Sequence, residues 1–287
     1  MALDYYKGTI PILDDNPANE AAVMALAFPG AKGQYGHRDV GFGAIPRDYG
    51  ITPQQTFGSP PSGIKLYDPS EYDALYDEEE ATLSSLEHLY LRGGKPAFVN
   101  LDQNGHGDCW AFSTGQAIMF DRLKQGLPLV RLNPHATAVI LNQLNGGWCG
   151  LSAKSARELG MAEDGSGEGQ WPGHSRSRSY DTPALRASMA KYKVQEEWVD
   201  LTKQVYDQNL TNAMLATCHF LKIPTPTDYS WWGHSVVSIR HVRIEKGRWG
   251  RLILNSWANW GRFGLSVIEG SKLNTMGALA IRMTKAA

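Results

Sequence analysis

The run Gln103-Asn104-Gly105-His106-Gly107-Asp108-Cys109-Trp110-Ala111-Phe112-Ser113 constrains this chain more than any other stretch. Glycines and polar residues end just before Cys109, and a segment led by Trp110 follows at once. This pattern puts a thiol at the N-terminus of a helix. The helix dipole and the unpaired backbone N–H groups there favour the thiolate, which is the nucleophilic form. The helix is expected over 109–124, with Phe112, Ile118, Met119, Phe120 and Leu123 supplying apolar faces. Lys124 stands near its end and Gly126 follows as a stop. Asp108 is expected to serve as its N-cap, accepting a backbone N–H of the first turn.

Two further words lie far downstream. His234 stands in Trp231-Trp232-Gly233-His234-Ser235-Val236-Val237, and Asn255 in Leu254-Asn255-Ser256-Trp257-Ala258-Asn259-Trp260-Gly261. Residues 235–244 are rich in Val and Ile, 245–248 read as a turn, and 251–255 return. A hairpin of this kind brings His234 near Asn255. Its arms are unequal, so a bulge or a later turn must bring them level. A fourth word is Asn145-Gly146-Gly147-Trp148.

The order Gln103, Cys109, His234, Asn255, with these local words around each, resembles the papain-like cysteine peptidases over about residues 97 to 285. The resemblance implies an α+β, papain-like two-lobed fold, one lobe helical and one β-barrel-like, with the cleft between. It implies hydrolysis of peptide bonds through a Cys109 thiolate and an acyl-enzyme intermediate. His234 would carry the proton, Asn255 would orient the imidazole, and Trp257 would cover their bond. Gln103 and the Cys109 backbone N–H would form the oxyanion hole. Gly146 and Gly147 would offer an edge for an extended peptide, Cys149 a pocket wall, and Trp260 the leaving-group side. Departures from the family pattern are His106 and Leu144, which remove its usual disulfide. Ala258 replaces a usual glycine, and Asp108 stands where a small residue is usual.

The 287 residues leave room for one large domain or two lobes, with an apolar fraction of 42%. A formal net charge of −1 gives no electrostatic case for nucleic acid or a membrane surface. The longest apolar stretch, 21–28, is far short of a span. Three cysteines, Cys109, Cys149 and Cys218, make no disulfide framework, so a reducing compartment is expected. The first residues lack the pattern of a secretory signal. A bacterial or viral protein, acting inside a cell or carried in a particle, suits these features. No Cys-x-x-Cys or His-x-x-x-His spacing occurs, and neither metal nor cofactor is expected.

The division expected is an extension over 1–95 and a peptidase domain over 96–287. Residues 1–65 read as loop-rich, apart from a helix over 17–28. A helix over 80–91, ended by Gly93-Gly94, follows. The extension reads as an atypical prosegment, as an arm that docks onto a partner, or as a surface wrap. Further helices are expected over 134–144 and 152–159, and 163–179 reads as a mobile surface loop without chemistry. Trp231 and Trp232 either floor the cleft or simply pack. His37, His88, His106, His135, His174, His219 and His241 read as structural or exposed. Two rival functions stand beside the peptidase. One is a non-catalytic structural or assembly component, such as part of a virus particle, that retained the fold. The other is a papain-like cell-wall hydrolase or acyltransferase, although such enzymes generally lack Asn-Ser-Trp.

Overall fold

The computed structural model describes residues 4–27, 43–45, 56–57, 66–194, 197–202, 207–257 and 260–282. Along the chain come β1 (Tyr5–Tyr6), β2 (Ile10–Leu13), α1 (Pro17–Ala27), β3 (Thr56–Phe57), α2 (Tyr72–Thr82), α3 (Leu86–Tyr90), α4 (Cys109–Lys124), α5 (His135–Ile140), α6 (Cys149–Glu158) and α7 (Pro183–Met189). There follow β4 (Glu197–Asp200), α8 (Gln208–Phe220), β5 (Thr225–Tyr229), β6 (His234–Glu245), β7 (Arg248–Leu254), β8 (Leu265–Ile268) and β9 (Gly277–Arg282). The strand order is β1-β2-β8-β7-β6-β5-β9-β4-β3. The fold is mixed α+β in two lobes, one mainly helical and one built on the sheet.

The expected hairpin is β6–β7, pairing antiparallel with Val237 opposite Leu254 and Arg243 opposite Trp249. Register shifts between Ser238 and Arg240 and between Arg243 and Glu245 supply the irregularity its unequal arms require. Helix α4 lies against this hairpin. The main core forms between them, with Phe112, Phe120, Val237, Ile239, Leu252 and Leu254 all buried. Burial on both sides of α4 explains why its apolar residues do not keep to one face: every residue from Cys109 to Asp121 is buried.

Several expected elements fall differently. The helix over 80–91 is two helices. Leu83 adopts a left-handed conformation (φ 51°, ψ 39°) that stops α2. Ser85 then starts α3 by accepting the His88 N–H on its hydroxyl. The helix over 134–144 is the shorter α5, and the one over 152–159 starts earlier, at Cys149. Residues 163–179 are not a loose surface loop. Trp171 is fully buried, and the Asn133 side-chain amide donates to Asp164 Oδ1 at 2.8 Å and to the Trp171 and Gly173 carbonyls. A large indole and a buried amide that needs acceptors hold this segment down.

The extension is tied into the sheet lobe at several places, β3 against β4 among them. Strand β2 pairs parallel with β8, Ile12 opposite Val267. On β6, the fully buried Arg240 meets Glu79 (2.8 Å), Glu80 (2.7 Å) and Glu87 (2.5 Å) from α2 and α3. The glycine- and proline-rich stretches 28–42, 46–55 and 58–65, His37 and Ala258 lie outside the described residues.

Candidate active site

Cys109 is the first residue of α4, and His234 is the first of β6, whose start packs against that helix end. The Ser235 backbone N–H points at the Cys109 thiol, and one turn along Ser113 and Ser235 hydroxyls meet at 2.7 Å. The hairpin returns Asn255 to His234, with Nε2 2.7 Å from the amide Oδ1. With that oxygen as acceptor, Nε2 carries the ring proton and Nδ1 is the basic nitrogen. Nδ1 is buried and has no hydrogen-bond partner among the described residues. Trp257 stacks on the imidazole (4.5 Å between centroids, 27°), and Trp232 meets it edge-on at 4.8 Å. Trp232 also touches Trp257 and Trp260, so it both packs and backs the ring.

Thiol and imidazole are both fully buried, and burial disfavours either charged form. Burial pushes the Cys109 thiol up to about 12; the carboxylates of Asp228 and Asp108 add to the rise, while N–H groups of Ser235 and Gly43 oppose it. Burial holds His234 down to about 4, against the Asn255 bond, which favours its charged form. In this arrangement the pair is neutral thiol and neutral imidazole, not the ion pair expected of an activated nucleophile.

What closes over Cys109 comes from the extension. Residues 43–45 run parallel to Gly147: the Ile45 N–H donates to the Gly147 carbonyl at 2.9 Å, and the Gly147 N–H donates to the Gly43 carbonyl at 2.6 Å. On the far side the Ala44 N–H donates to the carbonyl of Gly233, beside His234, at 3.0 Å. Ala44 packs with Cys109 and Met276. This strap therefore bridges the glycine wall and the histidine strand, directly over the thiol. The wall needs its glycines. Gly146 has φ 105°, and a Cβ on Gly147 would lie 2.8 Å from the Trp110 ring.

Gln103 is fully buried, its Oε1 accepting from the Ser256 hydroxyl and its Nε2 donating to the His106 carbonyl, each at 2.6 Å. The amide is thereby fixed in orientation beside the start of α4. Cys149 is buried; its backbone N–H donates to Asp228 Oδ2 at 3.0 Å, and its thiol faces the Pro226 carbonyl at 3.9 Å. Trp260 is buried against Trp257 and Trp232.

Asp108 does not act as the expected cap. Its backbone (φ −102°, ψ 9°) turns the side chain away from the first-turn N–H groups, and no side-chain cap bond forms. Instead its fully buried carboxylate accepts from His135 Nδ1 at 2.8 Å and from Arg176 Nη1. His135 Nε2 lies 3.2 Å from His174 Nδ1. Sequence reading gave Arg176 no role. Nothing local marks it, because its partner is distant in the chain. Among the described residues no cluster of three His, Cys, Asp or Glu side chains is arranged to hold a metal ion.

No protein-family model matches the chain, and no curated relative does. Solved structures do match in fold, and those compared are cysteine proteases. Xylellain, a cysteine protease from Xylella fastidiosa, aligns with a TM-score of 0.54 at 18% identity, covering 86% of this chain and 97% of its own. A recombinant stem bromelain precursor aligns at 0.53 and 15% identity, covering 80% and 78%. The proform of the ragweed pollen allergen Amb a 11, a cysteine protease, aligns at 0.52 and 16%, covering 87% and 77%. The chain has the papain-like fold of these cysteine proteases.

Proposed function

We propose that the protein is a cysteine endopeptidase whose cleft is closed, in the arrangement described, by its own residues 43–45. The observation that carries the reading is the His234–Asn255 bond. It leaves the basic Nδ1 of a Trp-shielded imidazole without a partner, on the strand end that packs against the Cys109 helix. A base with a free lone pair beside a thiol at a helix N-terminus is what nucleophilic amide cleavage requires.

In this mechanism His234 takes the Cys109 proton as the sulfur attacks the carbonyl carbon. Collapse of the tetrahedral species breaks the C–N bond, and the imidazolium gives its proton to the leaving amine. Water then hydrolyses the thioester with His234 again as base. Gln103 and the Cys109 N–H stabilise the oxyanion. An extended peptide pairs with the Gly147 edge that the strap now occupies, with Cys149 beneath one side chain and Trp260 toward the leaving group. Opening the site to water and substrate relieves the burial that holds thiol and imidazole neutral. The test is hydrolysis of a fluorogenic peptide library by the intact chain. Wild type is expected to cleave and Cys109→Ala to be inactive; cleavage that survives Cys109→Ala would refute the assignment.

A further inference from the structure

A carboxylate one residue before a nucleophilic thiol is an electrostatic liability, and Asp108 is such a carboxylate. It is fully buried, so little water screens it from Cys109. A like charge nearby disfavours thiolate formation. The structure supplies a compensating charge from a distant segment. Arg176 reaches Asp108 with one guanidinium nitrogen and holds the Leu144 carbonyl with the other at 3.3 Å. Its segment is pinned through Asn133, Asp164 and Trp171.

His135 shares that carboxylate: its ring sits between Asp108 and His174, with Nδ1 2.8 Å from Asp108 Oδ2 and Nε2 3.2 Å from His174 Nδ1. His106 is held below the usual histidine range, first by its burial and then by Arg176. Among the described residues, the guanidinium paired with Asp108 is that of Arg176, whose charge is permanent. On the other flank of Cys109 stand His234 and Asn255 from the β6–β7 hairpin and Asp228 from β5, which faces the Cys149 N–H. Neither Asn255 nor Asp228 brings a positive charge.

Resting on the reading of Cys109 as nucleophile, we infer that Arg176 is a positioning residue that cancels the Asp108 charge and so leaves the field of the α4 N-terminus to the Cys109 thiolate. An uncancelled buried carboxylate would oppose both that thiolate and the oxyanion formed beside it.

The test is the pH midpoint of Cys109 alkylation by iodoacetamide in the full chain, followed by mass spectrometry of the Cys109 peptide. Reagent is kept where rate stays proportional to its concentration, so that strap opening is a pre-equilibrium. Arg176→Gln is expected to raise the midpoint by about one pH unit. Arg176→Lys should fall nearer wild type. Asp108→Asn should sit at or below wild type, and the Asp108→Asn/Arg176→Gln double variant should return close to it, since neither charge remains. If Arg176 were only a brace for the loop, removing Asp108 would not rescue its loss. An unchanged midpoint in Arg176→Gln, or a double variant as high as Arg176→Gln, overturns the inference while leaving the nucleophile intact. If Arg176→Gln does not fold, the Asp108→Asn and Arg176→Lys midpoints decide: a rise in Asp108→Asn overturns it. Wild-type Cys109 reacting no faster than Cys149 and Cys218 would sink the peptidase reading itself, and this inference with it.

Discussion

In the proposed mechanism Asn255 acts through a single oxygen: by accepting the Nε2 proton it fixes the tautomer of His234 and leaves Nδ1 as the basic nitrogen. Its loss should therefore slow peptide hydrolysis less than loss of His234, the proposed proton carrier. Gln103→Ala should lower kcat with KM nearly unchanged, because an oxyanion donor acts mainly in the transition state; the cost is about 2.7–4 kcal/mol. Steady-state kinetics of Asn255→Ala, His234→Ala and Gln103→Ala check both. An unchanged kcat in Gln103→Ala means the hole is built from other donors. The local words around Gln103, Cys109, His234 and Asn255 were readable in the sequence because each carries its chemistry in neighbouring residues. Asp108 was misread because N-capping is a local default. The buried His135 and the partly exposed Arg176 that draw its carboxylate away come from segments that no local pattern connects to it.

At the scale of elements, helix α4 and the β6–β7 hairpin were legible from apolar patterning and turn chemistry, down to the irregular register. The helix over 80–91 was not, because one residue, Leu83, takes a left-handed turn that its side chain does not advertise. The strap over 43–45 was invisible for a different reason. Its hold on Gly147 and Gly233 is made by backbone groups, which leave no side-chain signature. That hold can be tested by crowding. A Cβ on Gly43 would lie 2.1 Å from the Gly107 carbonyl oxygen, so Gly43→Val cannot keep the strap seated. With three backbone hydrogen bonds at about 0.5–1.5 kcal/mol each released, Cys109 alkylation should speed up about tenfold or more. An unchanged rate would mean that residues 43–45 do not limit access to the thiol.

At the scale of the whole molecule, the segments flanking the strap are structural parts of the sheet lobe. Strand β2 completes a sheet edge beside β8, and α2 and α3 supply the three carboxylates around the buried Arg240. Removing those carboxylates would leave an uncompensated buried charge, which typically costs about 3–5 kcal/mol. In the proposed mechanism, access to the cleft calls for displacement of the strap while these anchors stay in place. The two-lobed fold was legible from the order of four short words spread along the chain. The anchoring of the extension was not, since Arg240 and its glutamates lie far apart in sequence and meet only in the folded chain. All of these features converge on one thiol. The most direct measurement is labelling of the intact protein, wild type and Gly43→Val, with an irreversible epoxide inhibitor of papain-type enzymes, and mapping the modified residue by mass spectrometry. The predicted result is a single adduct on Cys109, faster in Gly43→Val and lost in His234→Ala. No adduct in either form, or adducts shared among Cys109, Cys149 and Cys218, would contradict it.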